Sequence, residues 1–344
     1  MKSALLTGVR QIQFKDTPQP MLRQATDVLL RIAAVGVCGS DVHYYKTGRI
    51  GRQVVEFPFV VGHECSAVVE DVGRGVTRVQ PGDRVYVEPA VSCGTCDQCL
   101  AARPHTCRQM QFLGCPGQLP GCLSEYAVMP EECCYPIQDD LPLETAALAE
   151  PLSVGWYAVH RSIPMHGARV AILGAGPIGI CVLLCAIEAG AEKVAVTDVL
   201  DYRLQVARER GAAWIGNPRK TDIVKDILEV EPLQLDAVFD CCGEQEALDQ
   251  AVELLKPGGK LMLVGIPEVQ RVSFDIDLLR RKEIDIQNVR RQNGGVQPAL
   301  DLIEKSRMPI DFLITHRFSL ERTRDAFELV SRYEDGVVKA MIVM

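Results

Sequence analysis

Residues 169–179 read RVAILGAGPIG, an apolar run that passes directly into a glycine-rich turn. The turn fits the pattern G-x-G-x-x-G at Gly174, Gly176 and Gly179. Between a strand and a helix, such glycines allow a tight turn, close approach of the backbone to a pyrophosphate, and close packing of the helix on the strand. Pro177 and Ile178 would open that helix, whose free N–H groups favour phosphate. We expect a dinucleotide-binding loop, and a purely structural glycine turn is the alternative.

A carboxylate follows the loop at the distance that dinucleotide sites use. Asp198 ends the next apolar segment, residues 193–198. A carboxylate there accepts hydrogen bonds from the adenosine ribose and repels a 2′-phosphate, so it favours NAD over NADP. Arg203 can lie over the adenine or reach toward a phosphate, which weakens that preference.

The pattern around the loop predicts two kinds of structure. From residue 169 onward, apolar strands such as 170–173 and 237–240 alternate with helices such as 178–188. This alternation predicts an α/β fold with a parallel sheet covered on both faces. Before residue 150, short strands lie between turns and predict a β-rich module. The final strand, residues 337–343, can rejoin that module.

Length and composition restrict the function further. A chain of 344 residues favours two domains, and 47% apolar with 24% charged residues is typical of a globular protein. The formal charge of −8 and the lack of a basic stripe argue against nucleic acid as a partner. The sequence contains no run of 18 or more apolar residues, so we expect no transmembrane helix. Residues 1–10 do not resemble a secretory signal, so we expect a cytoplasmic protein.

Fourteen cysteines are many for a reducing compartment, and four of them are regularly spaced. They form a C-x2-C-x2-C-x7-C pattern at Cys93, Cys96, Cys99 and Cys107. Four thiolates in a short loop can bind one tetrahedral Zn²⁺, which would stabilise the fold without an open position for chemistry. Disulfides or buried free thiols are the alternatives. By default, we expect the remaining pairs to be small core residues: Cys133, Cys134, Cys241 and Cys242.

A second group of candidate ligands is scattered along the chain. A cysteine, a histidine and a carboxylate can hold one Zn²⁺ and leave a position open for water or substrate. Cys38, His63 and Glu64 offer these ligand types, and Glu150 is a further acidic candidate. Taken singly, each residue also fits a core or surface position.

These motifs together resemble the zinc-dependent medium-chain dehydrogenase/reductase family over essentially the whole chain, and within it the polyol dehydrogenases typified by sorbitol (L-iditol 2-) dehydrogenase. The segments that carry the resemblance are residues 38–45, 62–64, 93–107, 150–154 and 174–179. Alcohol dehydrogenases of this superfamily usually have cysteine where Glu150 stands, so the chain follows the polyol branch there.

The resemblance implies a GroES-like zinc catalytic domain, residues 1–152 and 290–344, around an inserted NAD-binding Rossmann domain, residues 153–289. It implies a catalytic zinc on Cys38, His63 and Glu64 with water as fourth ligand, and Glu150 near the metal or transiently bound to it. It further implies two Zn²⁺ per subunit, one catalytic and one structural, and a homo-oligomer, tetramer or dimer. An edge strand at residues 261–264, or the last strand, can then pair between subunits.

The implied reaction transfers a hydride from a secondary hydroxyl of a small polyol to NAD and gives a ketose. Ser40 and His43 match the family's proton-relay positions. Tyr44 matches an aromatic residue on the substrate side, and Arg291 an arginine that binds polyol hydroxyls, although a surface salt bridge is an alternative for Arg291. Gln292 departs from the tyrosine usual in sorbitol dehydrogenase, so xylitol, galactitol or an arabinitol compete with sorbitol.

Two alternatives stay open. The first is a zinc dehydrogenase for another secondary alcohol, such as a vicinal diol or L-threonine. The second is a nucleotide-binding structural protein on the same fold. If the second alternative were correct, we would expect the zinc ligands to have been lost, whereas Cys38, His63 and Glu64 are all present.

Overall fold

The computed structural model describes residues 1–305 and 308–344. The elements up to residue 160 are β1 (Lys2–Gly8), β2 (Gln11–Asp16), β3 (Asp27–Gly36), α1 (Gly39–Thr47), β4 (Arg49–Ile50), β5 (Gln53–Val54), β6 (Glu64–Val72), β7 (Arg84–Val87), β8 (Ala90–Val91), α2 (Asp97–Leu100), β9 (Gln111–Phe112), β10 (Tyr126–Pro130), β11 (Cys134–Pro136), α3 (Leu143–Ala147) and α4 (Ala149–His160).

The elements that follow are β12 (Arg169–Leu173), α5 (Pro177–Glu188), β13 (Lys193–Thr197), α6 (Asp201–Glu209), β14 (Trp214–Gly216), α7 (Ile223–Val230), β15 (Leu235–Asp240), α8 (Gln245–Leu254), β16 (Leu255–Leu263), α9 (Ile276–Lys282), β17 (Asp285–Asn288), α10 (Val296–Glu304), β18 (Ile314–Ser319), α11 (Thr323–Arg332) and β19 (Lys339–Val343).

The described chain divides into two compact units. Unit 1 comprises Met1–Glu150 and Val296–Met344, and unit 2 comprises Pro151–Gly295. The boundaries expected from the sequence were after residues 152 and 289. No helix in residues 1–305 and 308–344 is long and apolar enough to cross a membrane.

Unit 1 is built on a seven-stranded sheet whose main path is β11-β7-β6-β3-β19-β18, with β10 also paired to β3. The last strand, β19, pairs with β3, so the expectation that it rejoins the first module is confirmed. β3 is apolar along most of its length and packs into a core with β6 and β7. The core residues of these three strands include Val28, Leu30, Ile32, Val35, Ala67, Val69, Val85 and Val87.

Unit 2 is built on a six-stranded sheet in the order β14-β13-β12-β15-β16-β17. Neighbouring strands pair in parallel, which confirms the parallel sheet expected from the alternation. Counted along the unit, the order is third, second, first, fourth, fifth, sixth, the doubly wound arrangement of Rossmann domains. The order in which strands are added to the sheet reverses between β12 and β15. The glycine-rich loop follows β12 at that point.

Two expectations about strands were wrong. The sequence Pro257-Gly258-Gly259 predicts a turn before a strand at residues 260–265, but these three residues lie inside β16, which begins at Leu255. The two strands expected at a sheet edge are both inner strands. β16 lies between β15 and β17, and β19 lies between β3 and β18. The edges of the unit 2 sheet are β14 and β17.

Candidate functional site

Three candidate metal ligands from separate segments meet in unit 1. Cys38 directly precedes α1, and Glu64 is the first residue of β6. Gly62 has φ +100°, a left-handed conformation that favours glycine, and it sets the turn that leads into His63. The ligand atoms of Cys38, His63 and Glu64 all lie within 4.8 Å of one another. Sheet register and a glycine turn therefore bring a half-buried thiol together with a buried imidazole and a buried carboxylate.

Asp41 orients the imidazole of this group. Its Oδ1 lies 3.4 Å from His63 Nδ1 and accepts a hydrogen bond from the Gly62 N–H at 3.3 Å. Burial acts to lower the pKa of His63, but Asp41 and Cys38 outweigh it and raise the pKa well above its ordinary value. A carboxylate that fixes one ring nitrogen leaves the other for a metal. The sequence analysis assigned no role to Asp41, although it stands inside the 38–45 motif.

Glu150 does not belong to this group. Among residues 1–305 and 308–344, the ligand atoms that lie within 4.8 Å of one another at this site are those of Cys38, His63 and Glu64. Glu150 is buried, and burial is the largest cause that raises its pKa to about 8. His63 opposes this shift, while Glu64 and Glu88 add to it. Glu150 is therefore mostly protonated at neutral pH, beside a cluster that already carries several acidic groups.

The residues expected to relay a proton and bind substrate begin on α1. Ser40 donates a hydrogen bond to Cys38 Sγ at 3.3 Å, and His43 lies one turn further along the helix. The Tyr44 hydroxyl donates to Gln53 Oε1 at 3.0 Å, and Gln53 Nε2 donates to Cys115 Sγ at 2.7 Å. The Tyr44 hydroxyl also lies 3.9 Å from Cys115 Sγ. Gln53 and Cys115 carry no motif and were missed by the sequence analysis.

Arg291 belongs to unit 2 and has a left-handed backbone, with φ +54°. This conformation is uncommon for residues other than glycine. The neighbouring Gln292 accepts a hydrogen bond from the Gly295 N–H at 2.9 Å. That contact ties Gln292 to the local loop.

The four regularly spaced cysteines also form a cluster. Their sulfur–sulfur distances include 3.5 Å for Cys93–Cys107, 3.6 Å for Cys96–Cys99 and 4.0 Å for Cys93–Cys99. A tetrahedral Zn²⁺ with Zn–S bonds of about 2.3 Å requires separations of about 3.8 Å. All four cysteines are free, so the disulfide alternative is wrong.

The thiols of this cluster differ in acidity. Hydrogen bonds from the Thr95 N–H and hydroxyl, followed by the Cys96 N–H, lower the pKa of Cys93 to about 6. Burial and the neighbouring thiols raise the pKa of Cys99 to about 11. A metal would bind a set of ligands that is already partly ionised at neutral pH.

The glycine-rich loop of unit 2 has the geometry that its pattern predicts. Gly174 has φ +106°, and a Cβ on Gly179 would overlap the Gly174 carbonyl oxygen. Asp198 accepts hydrogen bonds from the Ala175 N–H at 2.7 Å and from the Leu200 N–H at 2.8 Å, so its carboxylate is fixed beside the loop. Arg203 is buried, and its Nη1 lies 3.5 Å from the place a Cβ of Gly176 would occupy.

The extra cysteines divide into two groups. Cys133 and Cys134 are buried, as expected of small core residues. The expectation was wrong for Cys242, which is exposed, because it lies in the loop that follows β15. Burial raises the pKa of the Cys133 thiol well above its ordinary value and that of the Cys134 thiol to about 12, so neither is a ready nucleophile.

Comparison with known proteins adds family information. Residues 24–139 match the family model of the alcohol dehydrogenase GroES-like domain, and residues 177–305 match that of zinc-binding dehydrogenase. The chain is 35% identical to a sorbitol dehydrogenase of Bacillus subtilis (strain 168), over 99% of this chain and 97% of that protein. It is 34% identical to an L-idonate 5-dehydrogenase of Vitis vinifera, over 96% of this chain and 91% of the relative.

A solved structure is similar over the whole chain. It is described as a short-chain alcohol dehydrogenase from E. coli CFT073 in complex with NADH. It has a TM-score of 0.91 and 28% identity, and the similarity covers 100% of this chain and 99% of the other.

Proposed function

The chain belongs to the zinc-binding alcohol dehydrogenase family with a GroES-like domain, and we propose that it oxidises a secondary hydroxyl of a polyol to a ketone with NAD as hydride acceptor. The observation that carries this proposal is the buried group of Cys38, His63 and Glu64. The polyol is favoured over other secondary alcohols because the relatives include a sorbitol dehydrogenase and an L-idonate 5-dehydrogenase.

The three ligand types fit a catalytic zinc. One thiolate, one imidazole and one carboxylate are a typical protein set for a four-coordinate site that keeps a position open. Zinc, when bound there, supplies a Lewis acid that makes an alcohol hydroxyl more acidic. Cys38, His63 and Glu64 would hold the metal, and Asp41 would keep the His63 ring oriented. The burial of His63 and Glu64 excludes water from competing for these ligands.

The proton of the alcohol needs a path to solvent. In our proposal, the Ser40 hydroxyl takes it up and the His43 imidazole passes it on, since both residues follow Cys38 on α1. Glu150 is buried and its pKa is raised, chiefly by burial, so it is a candidate to exchange a proton near this site.

The loop from Gly174 to Gly179 and Asp198 would bind the dinucleotide. The fixed Asp198 carboxylate repels a 2′-phosphate, which supports NAD over NADP. Arg203 lies close to the loop and would contact the adenosine half. The four-cysteine cluster would hold a second, structural zinc, for a total of two per chain.

Tyr44 supports the choice of a polyhydroxylated substrate. It matches an aromatic residue on the substrate side of the polyol dehydrogenases, and its hydroxyl is a polar group that is hydrogen-bonded to Gln53. A site with such polar groups discriminates against an alkyl alcohol, which leaves them unpaired. Arg291 is kept as a second candidate for hydroxyl recognition because of its sequence match.

The test is a substrate panel with metal-replete protein. NADH absorbance at fixed NAD is followed with sorbitol, xylitol, galactitol, arabinitols, 2,3-butanediol, L-threonine and 2-propanol, and NADP replaces NAD as a control. We expect turnover with one or more polyols and weaker turnover with NADP. In Tyr44→Phe, kcat/KM for the polyol should fall by about 5-fold while 2-propanol is little affected, because a hydrogen bond is worth about 1 kcal/mol. Turnover with diols or threonine alone would overturn the polyol assignment, and no turnover with any alcohol would overturn the proposed activity.

A further inference from the structure

Lys339 is a buried lysine next to the candidate metal ligands. Only 2% of its surface is exposed, and its Nζ lies 2.5 Å from Glu64 Oε2 and 3.4 Å from the Val37 carbonyl oxygen. Lysine is almost never fully buried unless its charge is paired. The Glu64 carboxylate is therefore the group that accounts for the burial of this ammonium.

Three neighbouring strands create the space for this ion pair. Glu64 opens β6 and Lys339 opens β19, and β3 lies between those strands. Gly36, the last residue of β3, is paired with Glu64 in the sheet. A Cβ at position 36 would overlap Glu64 Oε2 and lie 2.9 Å from Lys339 Cε. The absent side chain thus lets the two side chains meet across the middle strand.

The contact between Lys339 and Glu64 involves one oxygen of the carboxylate. The Lys339 ammonium lies within ion-pair distance of Glu64 Oε2. A carboxylate has two oxygens, so it can accept from an ammonium with one and bind a cation with the other.

We propose that Lys339 is a positioning residue for the metal centre, which holds one oxygen of Glu64 so that the carboxylate stays in place to bind the metal. The proposal rests on the proposed function, in which Cys38, His63 and Glu64 hold zinc. Partners that orient metal ligands typically contribute about 10–100-fold in metal affinity. A lysine that serves only to stabilise the fold would leave zinc affinity unchanged.

The experiment is a competition titration of zinc between the full-length protein and a chromogenic chelator. The binding phase that disappears in Cys38→Ser identifies this centre, and the four-cysteine phase is the internal control. In Lys339→Met, zinc affinity at the centre should fall by about 10–100-fold and the four-cysteine phase should stay unchanged. Lys339→Arg keeps the charge and should recover most of the loss.

The same Lys339 substitution, made in the Glu64→Gln variant, separates loss of ligand positioning from general destabilisation of the protein. Glu64→Gln already lacks the carboxylate that Lys339 holds, so adding Lys339→Met should change zinc affinity by less than about threefold. The double variant also removes both buried charges, which protects against misfolding of the single variant.

Equal losses in both backgrounds, or wild-type affinity in Lys339→Met, would overturn the proposal. Because affinity is measured rather than turnover, the expected pattern supports Lys339 even if no polyol is oxidised, a result that would overturn the proposed function alone.

Discussion

The two clusters of candidate metal ligands are built in opposite ways. The four cysteines lie within residues 93–107, on a half-exposed loop that contains the short helix α2. The Cys38–His63–Glu64 group combines segments from β3 to β6, and Lys339 from β19 adjoins it. The first cluster depends on local spacing, whereas the second depends on the register of the whole sheet.

The difference shows how burial restricts charge. A half-exposed loop can carry four thiolates because water screens them. In the buried group, His63 and Glu64 are at most 6% exposed, and each unbalanced charge is costly. The Lys339 ammonium, paired with Glu64, balances one negative charge of that group.

The largest effect should come from removing a ligand of the buried group. In Cys38→Ser, kcat/KM for the best polyol should fall by about 10³-fold, because a metal that stabilises transition-state charge contributes several kcal/mol. Steady-state assays and zinc analysis check this, and zinc content should drop by one per chain. Cys185→Ala, a buried cysteine of unit 2, is the control. Activity of Cys38→Ser within tenfold of wild type would contradict the comparison.

An intermediate effect is expected in the loop. In Cys96→Ser, the melting temperature should fall by about 5–10 °C, because a closed site stabilises its fold and a few kcal/mol corresponds to such a shift. Differential scanning calorimetry measures this change. Assayed at 25 °C, the folded variant should keep kcat/KM within about threefold of wild type. An unchanged melting temperature with activity as low as that of Cys38→Ser would reverse the roles of the two clusters.

The smallest effect concerns acidity within the loop. In metal-stripped protein, alkylation of Cys93 by iodoacetamide should reach half its maximal rate near pH 6, and Cys99 only near pH 11. The thiolate is the reactive form, so each rate rises with pH through the pKa of its thiol. Mass spectrometry at each pH resolves the two sites. Thr95→Ala should raise the pH at which Cys93 reaches half its maximal alkylation rate, since it removes a hydroxyl that stabilises the thiolate. If Cys93 and Cys99 reach half their maximal rates at the same pH, the loop does not make its cysteines differ in acidity.

The sequence predicted those features whose residues are close together along the chain. The four-cysteine spacing and the 174–179 loop both have local patterns, and the structure shows the corresponding cluster and turn. Cys38 and His63 carry weak signals singly and were joined by resemblance. Lys339 and Gly36 carry no signal, because their roles depend on strands that are neighbours only in the folded sheet.

Other differences have equally physical causes. Residues 257–259 carry a proline and two glycines, which usually indicate a turn, yet β16 already begins at Leu255. Sheet order also lies beyond local patterns, so residues 261–264 looked like an edge although they lie in an inner strand.

The most direct test of the account is to locate zinc by anomalous diffraction at its absorption edge, in crystals of metal-replete protein. We expect two peaks per chain, one between Cys38, His63 and Glu64 and one among the four cysteines. A peak among the cysteines with none between Cys38, His63 and Glu64 would contradict the central claim that this buried group is a catalytic metal centre.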